Sequence, residues 1–178
     1  MRKNIIYSLL LVVAALFAGC DSRLDIEKHG NMGDQNDFYQ TDEQIEQAVA
    51  SMYSNLKGLY YNWFFTKNLL SDDVWCGGGQ RGDNTSLEQL NEYTYGTDNG
   101  MIQGVFSGLY GLIYQCNLVI EKVADDTPVK KRAIAEAKFF RAWANFELVT
   151  LWGTAPLVDH LLEPGEYRQG NSTPEALW

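Results

Sequence analysis

The residues best equipped for chemistry fall in one stretch, where Trp75 leads into Cys76-Gly77-Gly78-Gly79 and then into Gln80, Arg81, Asp83 and Asn84. A tryptophan face can cover the apolar C–H side of a polyhydroxylated ring while neighbouring Gln, Arg, Asp and Asn side chains bond its hydroxyls. A rigid aromatic does this at small entropic cost. The residues alone leave a second reading open, in which Trp75 packs as core and the polar residues after it are merely solvated. Asp72 and Asp73, with Asp83 and Asn84, carry enough oxygen to chelate calcium, but their spacing misses the helix-loop-helix calcium pattern. Adjacent carboxylates at 72 and 73 also set no separation across a sugar for glycoside hydrolysis. His29 and His160 are the only 2 histidines and belong to no metal motif. These residues call for no catalytic centre, metal or cofactor, and the chain is read as a binding protein and not an enzyme.

The beginning of the chain has a chemistry of its own. Arg2 and Lys3 precede fourteen residues, Ile5 to Ala18, broken only by Tyr7 and Ser8, and small residues then lead to Cys20. That is the layout of an export signal. A membrane-spanning helix needs about 20 apolar residues, so this run is short for one. Leu16-Phe17-Ala18-Gly19-Cys20 resembles the bacterial lipobox, with Phe17 where Leu is usual. Residues 1–19 are therefore expected to be a lipoprotein signal peptide, and residues 20–37 a polar tether lipidated at Cys20. Each buried methylene adds about 0.8 kcal/mol, so two or three acyl chains anchor firmly.

Charge narrows the partners. Removing residues 1–19 takes Arg2 and Lys3 away, which leaves 12 of the 14 basic residues against 23 acidic ones, a formal charge of −11. Nucleic acid is excluded as a partner on that balance, and electrostatic docking onto anionic headgroups is disfavoured. A neutral or cationic ligand suits it. Cys76 and Cys116 remain in an oxidising compartment where a bridge is permitted, but Cys116 occupies an apolar helical position where a free thiol packs as a small hydrophobe. Their pairing stays open.

Three helices are expected to position these residues within one domain, 38–178. Thr41 and Gln44 form a capping box, and Ile45, Ala48, Val49, Met52, Tyr53, Leu56 and Leu59 recur at three and four. An irregular segment is expected from about Tyr61 to Asn99, with Trp63, Phe64 and Phe65 closing onto the first helix as core. Asp98 or Asn99 caps a second helix, striped by Ile102, Val105, Phe106, Leu109, Ile113, Cys116 and Ile120. Its glycines argue against a straight course. A third helix opens with Thr127 as cap and Pro128 at its first position and stops at Trp152-Gly153. On it Ile134, Ala137, Phe140, Arg141, Ala144, Leu148 and Leu151 share a face, where Arg141 needs a structural partner, with Glu136 and Glu147 the nearest acids by sequence. Ala135, Phe139 and Ala142 repeat the small, aromatic, small spacing by which tetratricopeptide helices admit a neighbour.

Several segments resemble the N-terminal part of the SusD/RagB outer-membrane nutrient-binding lipoproteins of Bacteroidetes. They are the lipobox followed by Leu24-Asp25, the block Asn68 to Trp75, the block Leu109 to Asn117, and Ala135 to Ala142 continuing through Phe146-Glu147-Leu148-Val149 and Leu151-Trp152-Gly153 to Ala155-Pro156-Leu157-Val158. The resemblance implies a mostly α fold of tetratricopeptide-like hairpins with long irregular loops. It implies a non-enzymatic glycan-binding protein that works with a SusC-like TonB-dependent transporter in oligosaccharide uptake. It places glycan contacts near Trp75, Gln80, Arg81, Asp83 and Asn84, makes Trp152 core, and sets the lipid-anchored protein on the outer membrane facing the exterior; Asp21 fits the acidic residues that accompany surface export in this family. Thr173 and Pro174 open a further helix, so an incomplete C-terminus is expected. A lipid-anchored helical scaffold that binds protein and no sugar is the alternative.

Overall fold

The computed structural model describes residues 38–178, and the lipidation site, leader and tether expected at 1–37 lie outside them. The elements are α1 (Asp42–Leu69), α2 (Thr85–Asn91), α3 (Gly100–Lys122), α4 (Pro128–Trp152), a 3-10 turn (Pro164–Glu166) and α5 (Pro174–Leu177). No strand occurs among the described residues, and the mostly α fold is as expected.

The helix starts follow their caps. Thr41 Oγ1 accepts from Gln44 N–H and Gln44 Oε1 accepts from Thr41 N–H, completing the capping box of α1. Asn99 Oδ1 accepts from Met101 N–H at 3.0 Å to open α3. Thr127 Oγ1 accepts from Lys130 N–H and donates to Asp42 Oδ1 at 2.7 Å, so one hydroxyl caps α4 and ties it to α1. Gly153 ends α4 with φ of 72°, a conformation that disfavours a side chain.

α3 is the central element. Residue pairs Ser51/Gln115, Met52/Cys116 and Leu59/Gly108 bring it antiparallel to α1, and Asn117/Arg141 and Phe106/Trp152 do the same for α4. It is apolar beyond one stripe: Leu112, Leu118 and Val119 are buried along with the expected Val105, Leu109, Ile113 and Cys116. A helix buried on several sides needs that wider apolar surface. Its glycines leave the helix continuous and serve close approach, since a Cβ on Gly108 would sit 2.8 Å from Leu59 Cδ1. Cys116 and Cys76 are both free thiols. Burial pushes the Cys116 thiol up to about 12, partly opposed by Arg141.

The chief correction concerns α1. It continues through the aromatic run to Leu69, where the sequence reading placed irregular backbone. Tertiary contacts hold the extension: Glu147 of α4, 2 % exposed, accepts from Trp63 Nε1 at 2.8 Å and from Lys67 Nζ at 2.9 Å. Lys67 also lies over the Trp63 ring, 5.2 Å from its centroid. Trp63 and Phe65 pack on the core clusters, whereas Phe64 is exposed. Trp152 packs against Phe106, ring centroids 5.2 Å apart.

Arg141 finds neutral partners in place of a carboxylate. Its Nη1 donates to Asn117 Oδ1 and to the Asp159 carbonyl, while Asn117 Nδ2 donates to the His160 carbonyl and Tyr110 Oη to the Pro156 carbonyl. Together these bonds seat the 155–160 segment on α3 and α4. The Ala135, Phe139, Ala142 face is exposed, with Phe139 at 67 % and its ring edge-on to the neighbouring Phe140, centroids 5.8 Å apart.

Replacing Glu147 by Ala leaves a lysine and an indole N–H without their shared acceptor. Lys67 is about a third exposed and can be rehydrated, so the expected loss is about 2–3 kcal/mol, below the usual range for a broken buried pair. Phe139→Ala is expected to stay within about 0.5 kcal/mol. Urea unfolding of both variants by circular dichroism checks the pair.

Candidate functional site

The segment between α1 and α3 leaves the helical layer at Leu70 and returns at Asn99. It is less irregular than expected, because Asn84 caps the short α2, whose Leu87 and Leu90 bury beside Leu69 and Met101 in a second small core. The signal for α2 was present in the sequence as an Asn cap followed by two leucines three apart. With only seven residues, the helix relies on that burial more than on propensity.

Asn91 then sets the aim of Trp75. Its Nδ2 donates to the Val74 carbonyl at 3.0 Å and its Oδ1 accepts from Cys76 N–H at 3.0 Å, so both neighbours of Trp75 are pinned to α2. Trp75 itself is 76 % exposed, which removes the core reading of that residue. Tyr93, with φ of 56°, donates from Oη to the Leu70 carbonyl and closes the base of the excursion.

A cavity of about 280 Å³ opens beside the indole, lined by Trp75, Gln80, Arg81, Glu88 and Glu92 with the Cys76–Gly78 backbone. Three of the five residues singled out from sequence, Trp75, Gln80 and Arg81, therefore meet in one place. Asp83 and Asn84 do not line it. Asp83 Oδ2 accepts from Gly79 N–H at 2.6 Å and from Gln80 N–H at 2.9 Å, shaping the loop from within. Asn84 serves as the backbone cap of α2, accepting from Leu87 and Glu88 N–H.

Two lining residues went unseen in the sequence. Glu92 Oε2 holds Arg81 Nη2 at 2.8 Å, and Glu88 Oε1 accepts from Gly82 N–H at 2.7 Å, where φ of 92° favours glycine. Their four-residue spacing puts them on one side of α2, legible only once that segment is known to be helical. Partial burial and the nearby Glu88 carboxylate push the Cys76 thiol up from its ordinary value. Chemically, the site offers an aromatic face, a glutamine amide and carboxylate acceptors, with no nucleophile or general base aligned to a partner.

A family model of SusD-like type, described as starch-binding associating with outer membrane, matches residues 24–173. The chain belongs to this SusD-like family. A SusD-like protein of Bacteroides ovatus is 32 % identical over 166 residues, which cover 85 % of this chain and 29 % of that protein. A SusD-like protein of Formosa agariphila is 26 % identical, covering 95 % of this chain and 34 % of its own length. This SusD-like chain thus spans about a third of the length of the curated relatives it matches. A solved laminarin-binding SusD-like protein superposes with a TM-score of 0.68 at 26 % identity, over 78 % of this chain and 32 % of that one. A SusD superfamily structure from Bacteroides vulgatus, at 22 % identity and a TM-score of 0.67, shares the fold over 79 % of this chain and 32 % of its own.

His160 lies away from this cavity, between Asp159 Oδ1 at 2.9 Å and Glu166 Oε2 at 3.2 Å. Hydrogen bonds to Asp159 and then Glu166 hold its pKa above the ordinary 6.5. A raised histidine pKa stabilises the protonated form, so this tie is fully present below about 6.5 and is lost as pH rises through the folded value. Proton NMR titration is expected to place the His160 midpoint above 6.5, and Glu166→Gln to lower it. For the loop, Asp83→Ala is expected to accelerate amide exchange at Gly79 and Gln80 while leaving α3 and α4 protected.

Proposed function

We propose that this chain acts as a cell-surface glycan-binding lipoprotein, held on the outer membrane by lipid at Cys20, which captures oligosaccharide for a SusC-like TonB-dependent transporter. The observation that carries the reading is an exposed Trp75 at the mouth of a polar-lined cavity. An indole left in water costs hydrophobic free energy, and an apolar ring face is the surface that would cover it. Family membership supports a starch-like or related glycan as ligand, and the laminarin-binding structural relative makes a β-glucan a sensible first probe. Residues 1–19 act in this reading as the signal peptide and residues 20–37 as the tether, with the helical domain beginning at 38. The protein supplies binding and no turnover.

A second reading, a lipid-anchored scaffold without sugar binding, draws on the exposed Phe139 face of α4, an apolar helical stripe that a protein partner could cover.

Isothermal titration of the full chain in detergent with laminari-oligosaccharides separates the two. Saturable heat is expected, and Trp75→Ala is expected to weaken it about tenfold or more, about 1.4 kcal/mol, without changing the circular dichroism. Heat that survives in Trp75→Ala moves the sugar elsewhere, and no heat from a folded chain favours the scaffold.

A further inference from the structure

The loop beside Trp75 resembles an anion site in its parts. Glycine-rich backbone presents N–H groups, and a guanidinium stands next to them, the two features that usually take phosphate, sulfate or carboxylate. In this protein three of those backbone amides and one guanidinium nitrogen are engaged by the chain's own carboxylates. Gly79 and Gln80 N–H donate to Asp83 Oδ2, Gly82 N–H to Glu88 Oε1, and Arg81 Nη2 to Glu92 Oε2. Three carboxylates thus oppose one guanidinium around a cavity that two of them line.

Resting on the glycan reading above, we infer that this site selects uncharged glycans and rejects uronate-bearing or sulfated ones, with Glu88 and Glu92 as the specificity-determining residues. A ligand carboxylate entering here finds three loop amides occupied, the guanidinium charge already paired with Glu92, and like charges on the wall. A neutral sugar finds the reverse. Ionised carboxylates are acceptors only, with about four lone-pair sites each, so Glu88 and Glu92 keep capacity for ligand hydroxyls after making their internal bonds. Charge-assisted bonds of this kind are the stronger class, and Trp75 supplies the stacking face. The acidic balance of the whole chain, 14 basic to 23 acidic residues, acts in the same direction on approach.

The test titrates the full chain in detergent with a laminari-oligosaccharide and with an oligogalacturonide of equal length, at low and high salt. Expected is at least about tenfold weaker binding of the oligogalacturonide, a gap that narrows as salt screens the carboxylates. Glu92→Gln, which frees Arg81, and the Glu88→Gln/Glu92→Gln double variant are expected to narrow it further at low salt, with folding checked by circular dichroism. Equal affinity for the two oligosaccharides, or a gap insensitive to salt, overturns the inference on the unaltered protein even if a variant fails to fold. Binding of neither sugar by the folded chain instead removes the glycan reading of this loop, and the inference with it.

Discussion

The structure turns on a carboxylate that could not remain buried alone. Glu147 sits inside α4 facing α1, and an ion removed from water is tolerable only when paired and hydrogen-bonded. The indole N–H of Trp63 and the ammonium of Lys67 meet that need. Both belong to the last turns of α1, so satisfying Glu147 fixes where α1 ends. Leu69 is thereby delivered to the second core beside Leu87 and Leu90, and the excursion that carries Trp75 starts from a defined point.

From that point a hierarchy of polar ties builds the site without a large core. Asn91 grips both neighbours of Trp75, and Tyr93 reaches back to Leu70. Asp83 and Glu88 fold the glycine loop by accepting its amides. Flexible glycines permit the turn and carboxylates specify it, which explains how a loop rich in glycine presents an ordered wall. The same bonds that shape the loop also occupy the amides of Gly79, Gln80 and Gly82.

The large apolar commitment is made elsewhere. α3 is sheathed by α1 and α4, and the 155–160 segment is stitched over it by Arg141, Asn117 and Tyr110. Arg141 shows how context replaces a rule: a guanidinium on an apolar face needs acceptors, and here a side-chain amide and a backbone carbonyl suffice. The exposed Phe139 on α4 touches this core through the neighbouring ring of Phe140.

The sequence by itself determined the starts of α1, α3, α4 and α5, the Gly153 stop, the apolar stripes and the family, because caps, prolines and three-four periodicity act locally and leave a local record. Trp75, Gln80 and Arg81 were legible as chemistry for the same reason. What only the tertiary structure decided was anything requiring a distant partner. The length of α1 depended on Glu147, more than seventy positions away. The exposure of Trp75 depended on Asn91, and the roles of Glu88 and Glu92 on a short helix whose two buried leucines hold it in place. Asp83 and Asn84, read as ligand contacts, line no part of the cavity: the Asp83 carboxylate accepts two loop amides and the Asn84 carbonyl opens α2. Burial and pairing are settled by which surfaces meet, and that information is absent from residue spacing.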